Sequence, residues 1–388
     1  MTDLETAAGP LAGIRVLDLS RVLAGPWCTQ SLADLGAQVL KVEEPTSGDD
    51  TRTWSPPFMD DMAAYFTCAN RSKQSLALDL RRPEAQDLVR RLAAKADVLV
   101  ENFKRGTLER FGLSFERLRQ DNPGLICCSI SGYGREGPEA DRAGYDFVIQ
   151  AESGLMSITG EVDGAPTKVG VAVSDLFAGM YASQAILAAL VGRARTGRGE
   201  TIDVALFDCQ LAVLANVAAN TLATGTAPRR YGNAHANVVP YEVFEAADLP
   251  LALAIGNDRQ FRTLCEKVLA AGHLADDERY VTNTARSINR VTLRAELDSR
   301  FRTRPIAYWM DLMHPLGLPI GAVQTVDTAL ASEQARARGL VHSLPGIREP
   351  IRFVGYPVKL EGGLPSPTRP PRIGEGGEEL AQAWLGEA

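Results

Sequence analysis

The chain has 388 residues, 45% hydrophobic and 23% charged, the proportions of an ordinary globular protein with room for a large core and more than one domain. A formal net charge of −7 argues against nucleic-acid binding through a general basic surface, though not against a basic pocket for one anionic ligand. Six scattered cysteines without a C-x-x-C pair, and four histidines without metal-ligand spacing, point to reduced thiols, a cytoplasmic location and no metal site. From the N-terminus, Ile14–Leu19 reads as a strand, 20–26 as a loop, Trp27–Leu35 as a helix and Gln38–Glu43 as a strand, which together make a β–α–β unit. The first turn carries only Ala24-Gly25-Pro26 where a dinucleotide site needs G-x-G-x-x-G, so NAD is set aside. Ser75–Asp79, Asp97–Glu101 and Leu125–Ile130 continue the strands. A helix from Pro83 to about Ala96 and shorter helices at 108–111 and before Asn122-Pro123 alternate with them. This alternation predicts a doubly wound α/β domain, with ligands at the loops after Leu19, Leu80, Glu101 and Ile130.

Gly132–Asp146, rich in Gly and charge, reads as a long functional loop before a helix over 147–156. The following segment organises the chain. Val169–Val173 is a short β-branched run that reads as a buried strand end, and 176–190 is Ala/Leu-rich and reads as a helix. Ser174 and Asp175 lie between them. An acid there is either a capping carboxylate or a nucleophile kept ionised by the helix N-terminus, and the pattern leaves both open. The longest apolar run here, Ala182–Leu190, falls short of the ~20 residues that span a bilayer, and the acidic N-terminus lacks a signal-peptide pattern. After a strand at 201–206 and an Ala-rich helix to Thr221, the pattern changes. A hairpin (241–246 and 251–255) leads to a helix with Phe261, Leu264, Cys265, Val268 and Leu269 on one face, then to helices at 288–301 and 305–313. The expected organisation is a large domain over 1–200, a linker helix at 201–224, a small α+β domain over 225–315, and a return over 316–388 to the large domain. Arginines recur in the candidate site loops, among them Arg21, Arg71, Arg81, Arg105, Arg110 and Arg142; each alone reads as solvated, but together they suit a phosphorylated ligand.

A resemblance covers most of these features. Pro10-Leu-Ala-Gly-Ile-Arg-Val-Leu-Asp-Leu, Leu35-Gly-Ala-Gln-Val-Leu-Lys-Val-Glu43, Gly48-Asp49 with Arg52, Asn70-Arg71-Ser-Lys73, Asp97-Val-Leu-Val-Glu-Asn-Phe103 and Gly132-Tyr133 closely resemble the family III CoA-transferases. Formyl-CoA transferase and carnitine CoA-transferase belong to that family, and α-methylacyl-CoA racemase is a relative. The match runs in order from Pro10 to about Asp208 and resumes near Pro319-Ile-Gly. It implies a Rossmann-like large domain, an interlocked homodimer, coenzyme A or acyl-CoA as substrate, and no tightly bound cofactor. The family's nucleophilic Asp follows Gly-x-x-x-x, which Gly170-Val-Ala-Val-Ser-Asp175 matches, so the resemblance assigns Asp175 as nucleophile. It implies that Val22, Leu23 and Ala24 lie along CoA, that Leu78 packs by the adenine, that Arg81, at a position that is Lys in formyl-CoA transferase, also binds CoA, and that Asn102, Phe103, Arg110 and Phe111 line the nucleotide and pantetheine path.

The departures also inform. Leu23 replaces a polar Gln of formyl-CoA transferase, and the tetraglycine loop is absent, with Gly256-Asn257 its only short counterpart. Tyr145 stands where the racemases place a His, which leaves α-carbon proton abstraction without one base and makes Tyr145 a second candidate at the site. Tyr231-Gly-Asn-Ala-His235-Ala-Asn resembles members that use dicarboxylic acids, so His235 is a candidate substrate residue. The expected activity is transfer of CoA from succinyl-CoA or a similar donor to a carboxylic acid, a dicarboxylate by preference. A racemase or epimerase and a non-catalytic CoA-binding protein are the alternatives.

Overall fold

The computed structural model describes residues 9–387. The chain divides into two compact units. Met1–Leu155, Val169–Thr226 and Glu333–Ala388 form the larger, and Met156–Lys168 with Ala227–Ser332 form the smaller. Segment 156–168, which the sequence places in the large domain, thus groups with the smaller unit, and that unit runs on to Ser332.

The larger unit is mixed α/β. Its sheet has six parallel strands, β1 (Arg15–Asp18), β2 (Gln38–Glu43), β3 (Gln74–Ala77), β4 (Val98–Glu101), β5 (Ile126–Ser131) and β6 (Thr201–Ala205), in the order β3-β2-β1-β4-β5-β6. The inner strands β1, β2, β4 and β5 carry apolar residues on both faces, as a parallel sheet covered by helices on each side requires. Val16, Val39, Val98 and Cys128 join one buried cluster with residues of α1 (Ala24–Asp34) and of the long helix Val173–Thr196. Leu17, Leu40, Leu99 and Cys127 join another with residues of α2 (Pro83–Ala93), α3 (Phe115–Asp121) and the C-terminal helix Gly377–Leu385. The order of strands reverses between β1 and β4, which opens a crevice at their carboxyl ends. α4 (Asp146–Glu152), α5 (Val173–Thr196), α6 (Leu206–Val213) and α7 (Ala215–Thr224) complete the site-bearing part of this unit.

Three local expectations need correction. First, α1 begins at Ala24 rather than Trp27, because Pro26 in its first turn lacks only an N–H that has no partner there anyway. Gly25 is obligatory at this turn, since a Cβ on it would sit 2.3 Å from the Ser20 side chain. Second, Val169–Val173 is not a strand: 169–172 are irregular, Val171 is 57% exposed, and Val173 already opens α5. One buried side chain stands in for a ladder here. The Gln150 amide accepts from Val169 N–H at 2.8 Å and donates to the Val171 carbonyl at 3.3 Å. Third, the Ala-rich helix is two helices, α6 and α7, bent by 77° where Ala215 takes φ +45°. α5 itself has 24 residues and is long and apolar enough to cross a membrane by length and composition, yet it packs against α1, α6, β5 and β6.

The smaller unit carries the expected hairpin, β7 (Tyr241–Glu245) with β8 (Pro250–Ala254), and β9 (Ile320–Ala322) adds an antiparallel third strand on β8. Phe261, Leu264, Cys265, Val268 and Leu269 are all buried, as their spacing predicts, and pack with Phe244, Leu297, Phe301 and Trp309.

Gly179 sets how closely α5 approaches the first turn of α1. A Cβ there would lie 2.6 Å from the Ala24 carbonyl oxygen and 3.2 Å from Trp27, and a backbone atom cannot swing away as a side chain can. Gly179→Ala is expected to lose about 1–3 kcal/mol of stability, the usual cost of overpacking, read as a lower denaturation midpoint; an unchanged midpoint would mean the two helices have slack.

Candidate active site

A cavity lies at the carboxyl ends of β1, β4, β5 and β6. Its walls are the loop after β1 (Arg21–Ala24), the turn after β4 (Asn102–Gly106), the end of β5 (129–131), Gly132, Gly134, Arg135 and 140–145 of the long loop, Asp175 and Leu206. Sequence reasoning places ligands at such strand ends, and three of its four candidate loops do meet here. Val22, Leu23, Ala24, Asn102, Phe103, Tyr145 and Asp175 all line this one cavity. Asn102 clamps the facing loop: its side-chain oxygen accepts from Arg21 N–H at 2.9 Å and its amide donates to the Arg21 carbonyl at 2.7 Å. Leu23 is buried at 5% exposure, so its side chain is part of the packing beneath the loop.

Asp175 is half-buried in the first turn of α5, three residues past Ala172, the N-cap, and it makes no cap bond. The first-turn N–H of Ser174 goes instead to Asp146, at 2.8 Å. Asp146 also accepts from the Gln150 amide at 2.8 Å, and the buried Ser174 hydroxyl donates to the Gln210 side-chain oxygen at 2.8 Å. The Asp175 carboxylate accepts no hydrogen bond among the described residues. Burial first, and the charge of Asp146 second, push its carboxyl up to about 7. The expectation of a carboxylate kept ionised by the helix N-terminus is therefore reversed: the helix N–H is spent on Asp146, and the nearest strong charge is repulsive. Tyr65 lies within electrostatic reach; burial, then the charge of Asp175, raises its phenol to about 12. Its ring meets Trp54 edge-on, with centroids 4.9 Å apart.

The remaining candidates lie elsewhere. Leu78 and Arg81 follow β3, an edge strand two positions from the switch between β1 and β4, and neither lines the cavity. Arg81 is held by its own neighbour Asp79 at 2.7 Å. Arg110 donates to Thr107 at 3.1 Å, and Phe111 is partly buried against the core beneath α2 and α3. His235 and Gly256 belong to the smaller unit. There the His235 Nδ1 accepts from Asn237 and Val238 N–H at 3.0 and 3.1 Å, which places the ring proton of the neutral form on Nε2. Gly256 N–H donates to Gln260 at 2.8 Å.

Sequence reasoning missed Asp146 as a partner of Asp175, and missed Gln150, Gln210 and Tyr65. A single acid after the Gly-rich loop was visible; that it would face Asp175 depends on how α4 packs on α5. The arginines around the cavity are mostly matched with acids: Arg21 with Asp50 (3.3 Å), Arg105 with Asp141 (3.6 Å), Arg135 with Glu109 (2.8 Å) and Arg142 with Glu139 (2.7 Å). Lys104 has no ion pair among the described residues, and Arg71 is instead buried against Asp34 at 2.5 Å. No group of three or more His, Cys, Asp or Glu among the described residues is placed to hold a metal ion.

A model of CoA-transferase family III matches residues 11–376. The chain belongs to this family. It is accordingly a CoA-transferase, and its relatives bear similar names. It is 48% identical over 381 residues to the succinate–glutarate CoA-transferase of Agrobacterium fabrum, covering 95% of this chain and 94% of that protein. It is 42% identical over 366 residues to the human succinyl-CoA:glutarate CoA-transferase, covering 94% and 83%. The crystal structure of a CAIB/BAIF family protein from Brucella suis superposes with a TM-score of 0.86 at 46% identity, over 97% of this transferase and 100% of that chain.

Asp146→Asn keeps an oxygen for Ser174 N–H and removes the repulsive charge, at the cost of an NH₂ group facing the Gln150 amide, so the midpoint at which Asp175 ionises should fall below about 7. The carboxyl ¹³C titration of Asp-labelled transferase, with Asp175→Asn to assign the signal, reads this directly. An unmoved midpoint would show that burial alone sets it.

Proposed function

We propose that the protein moves CoA from succinyl-CoA or a similar acyl-CoA to a dicarboxylate such as glutarate, through covalent intermediates on Asp175. The observation that carries this reading is a carboxylate at the cavity wall that burial and Asp146 push up to about 7 and that no hydrogen bond from the described residues stabilises. Such a carboxylate is poorly solvated and costly to leave ionised, which raises its reactivity towards a carbonyl. Two of the relatives named above are named for succinate or succinyl-CoA with glutarate, which supports the choice of acids.

The steps balance as follows. The Asp175 carboxylate attacks the thioester carbonyl and expels CoA thiolate, leaving an acyl–aspartyl anhydride. The thiolate attacks the aspartyl carbonyl, which releases the first acid and forms an aspartyl-CoA thioester. The acceptor carboxylate attacks that thioester, regenerating thiolate and a second anhydride. Thiolate attack on the acceptor's carbonyl then yields the new acyl-CoA and free Asp175. Val22, Leu23, Ala24, Asn102 and Phe103 would lie along CoA at the Rossmann-like switch between β1 and β4, with Lys104 and Arg105 available to its phosphates. Tyr145, 62% exposed at the cavity edge, would shield the anhydrides from water. The cavity lining includes no histidine, so the residue type that the racemase reading requires is missing from it.

Asp175→Ala should lower transfer by at least about 10³-fold, in keeping with loss of a nucleophile. In the unmodified enzyme incubated with succinyl-CoA, hydroxylamine should leave a hydroxamate on the peptide that contains residue 175. Continued transfer with that peptide unlabelled would overturn the mechanism. Loss of preference for glutarate over acetate and oxalate, in a mass-spectrometric screen of acceptors, would overturn the choice of acids.

We also propose the interlocked homodimer that the family resemblance implies. Met180, Tyr181 and Val191 on α5, exposed at 55%, 41% and 66%, and Leu222 on α7 at 86%, leave an apolar surface in want of cover. Sedimentation equilibrium should give twice the chain mass at micromolar concentration, and a monomer would reject the dimer.

A further inference from the structure

The loop from β1 to α1 is held in a shape that its sequence does not favour. Val22, which lines the cavity, has φ +69°, in the left-handed region that β-branched residues rarely adopt. Something must keep it there, and three contacts converge on the loop. Asn102 grips the backbone of Arg21 from one side, as described above. From below, the fully buried Lys41 donates to the Ser20 carbonyl at 2.7 Å. Val22 N–H itself points at both oxygens of Asp49, at 3.2 and 3.3 Å.

Asp49 is in turn fixed from every direction. Its carboxylate accepts from Thr51 N–H at 3.0 Å and from the Thr51 hydroxyl at 2.7 Å, and pairs with the Lys41 ammonium at 2.9 Å. Glu43 accepts from Asp49 N–H at 2.9 Å, and the bidentate Arg52 holds Glu43. The side chains of Lys41 and Asp49 are both excluded from solvent, at 1% and 0% exposure. Lys41 thus ties Ser20, at the start of the kink, to Asp49, the acceptor of Val22 N–H, through one buried charge.

We propose that Asp49 is a positioning residue for CoA transfer, acting through Val22: its carboxylate, anchored by Lys41, holds the Val22 N–H and so keeps the 20–24 loop in the shape that receives the acyl-CoA. The inference rests on the reading that this loop lies along CoA. Asp49 does not line the cavity and touches no reacting atom. An amide at position 49 cannot replace it. With its oxygen kept on Thr51, 3.2 Å from Val22 N–H, its NH₂ group would meet the Lys41 ammonium, donor against donor, and the side chain would be driven out of reach of Val22. Freed of its acceptor, Val22 would relax towards negative φ and carry Leu23 and Ala24 with it.

The test is steady-state kinetics of Asp49→Asn with succinyl-CoA as donor and glutarate as acceptor. The KM for succinyl-CoA should rise roughly 10- to 100-fold, the range for a displaced positioning element, while the KM for glutarate stays within about twofold. Adding Val22→Gly should recover most of that loss, because glycine adopts positive φ without help. A role in stability alone would lower the melting temperature, leave the KM of the folded enzyme unchanged and give no rescue; either an unmoved KM or an absent rescue overturns the proposal. Should Asp49→Asn not fold, Lys41→Met with Asp49→Ala removes both buried charges together with the acceptor of Val22 N–H, and gives the same readout. Hydroxylamine trapping at residue 175 is run on each variant. Trapping that persists while KM does not move sinks only the positioning role, whereas loss of trapping in the unmodified enzyme sinks the mechanism.

Discussion

Two carboxylates meet at the start of α5, and only one of them is satisfied. Asp146 takes the Ser174 N–H and the Gln150 amide, so the electrostatic benefit of the helix N-terminus goes to it. Asp175, one residue further along, has no donor among the described residues and faces the charge of Asp146 from a poorly solvated position. The supporting parts serve this arrangement. Gln150 fixes the irregular 169–172 segment, Gln210 holds Ser174, and Gly179 lets α5 lie against the first turn of α1, so that the nucleophile candidate and the 20–24 loop share one wall.

Beneath that loop lies the opposite solution to burying charge. Asp18 is fully buried, and burial alone would raise its carboxyl; Lys73, Lys41, Ser20 and Thr29 instead hold it down to about 2. Lys41 and Asp49 form a second buried pair on the neighbouring strand and loop. Such pairs add little net stability over apolar residues of the same size, but removing one partner costs about 3–5 kcal/mol. They are therefore poor adhesive and good specification: they fix where the ends of β1 and β2 stand relative to the loops above. A site on loops needs that fixity if a cofactor-sized substrate is to reach one carboxylate.

The sheet was legible in the sequence because its strands are short apolar runs separated by helices, and β2, β4 and β5 fall within a residue or so of where the pattern puts them. The walls of the cavity were legible for the same reason, since strand ends in such sheets point to ligand sites. What the residue pattern did not foresee lies in the packing. Val169–Val173 carries a local strand signal, but no neighbouring strand offers a ladder, and the Gln150 amide satisfies the backbone instead. Leu78 and Arg81 sit at a strand end too; the order of strands puts β3 at the sheet edge, and neither residue lines the cavity. Neither sheet order nor the packing of α4 on α5, which brings Asp146 to Asp175, can be read from residue spacing.

The raised ionisation of Asp175 also sets a direction for stability. Its folded value of about 7 lies above the ordinary 3.8, so between those limits the folded state holds a proton that the unfolded chain has released. The contribution is full below about pH 4 and is lost as pH rises through about 7, with its size discounted for the half-exposed position of the group. The transferase is thus least helped by this residue at the pH where a carboxylate nucleophile becomes available. The six-stranded sheet, sealed on both faces by helices, supplies the stability that makes such a residue tolerable. That is the reason to look for the reactive group at a cavity whose walls stand on a thoroughly packed sheet: there a charge can be kept short of partners without the surrounding structure rearranging to satisfy it.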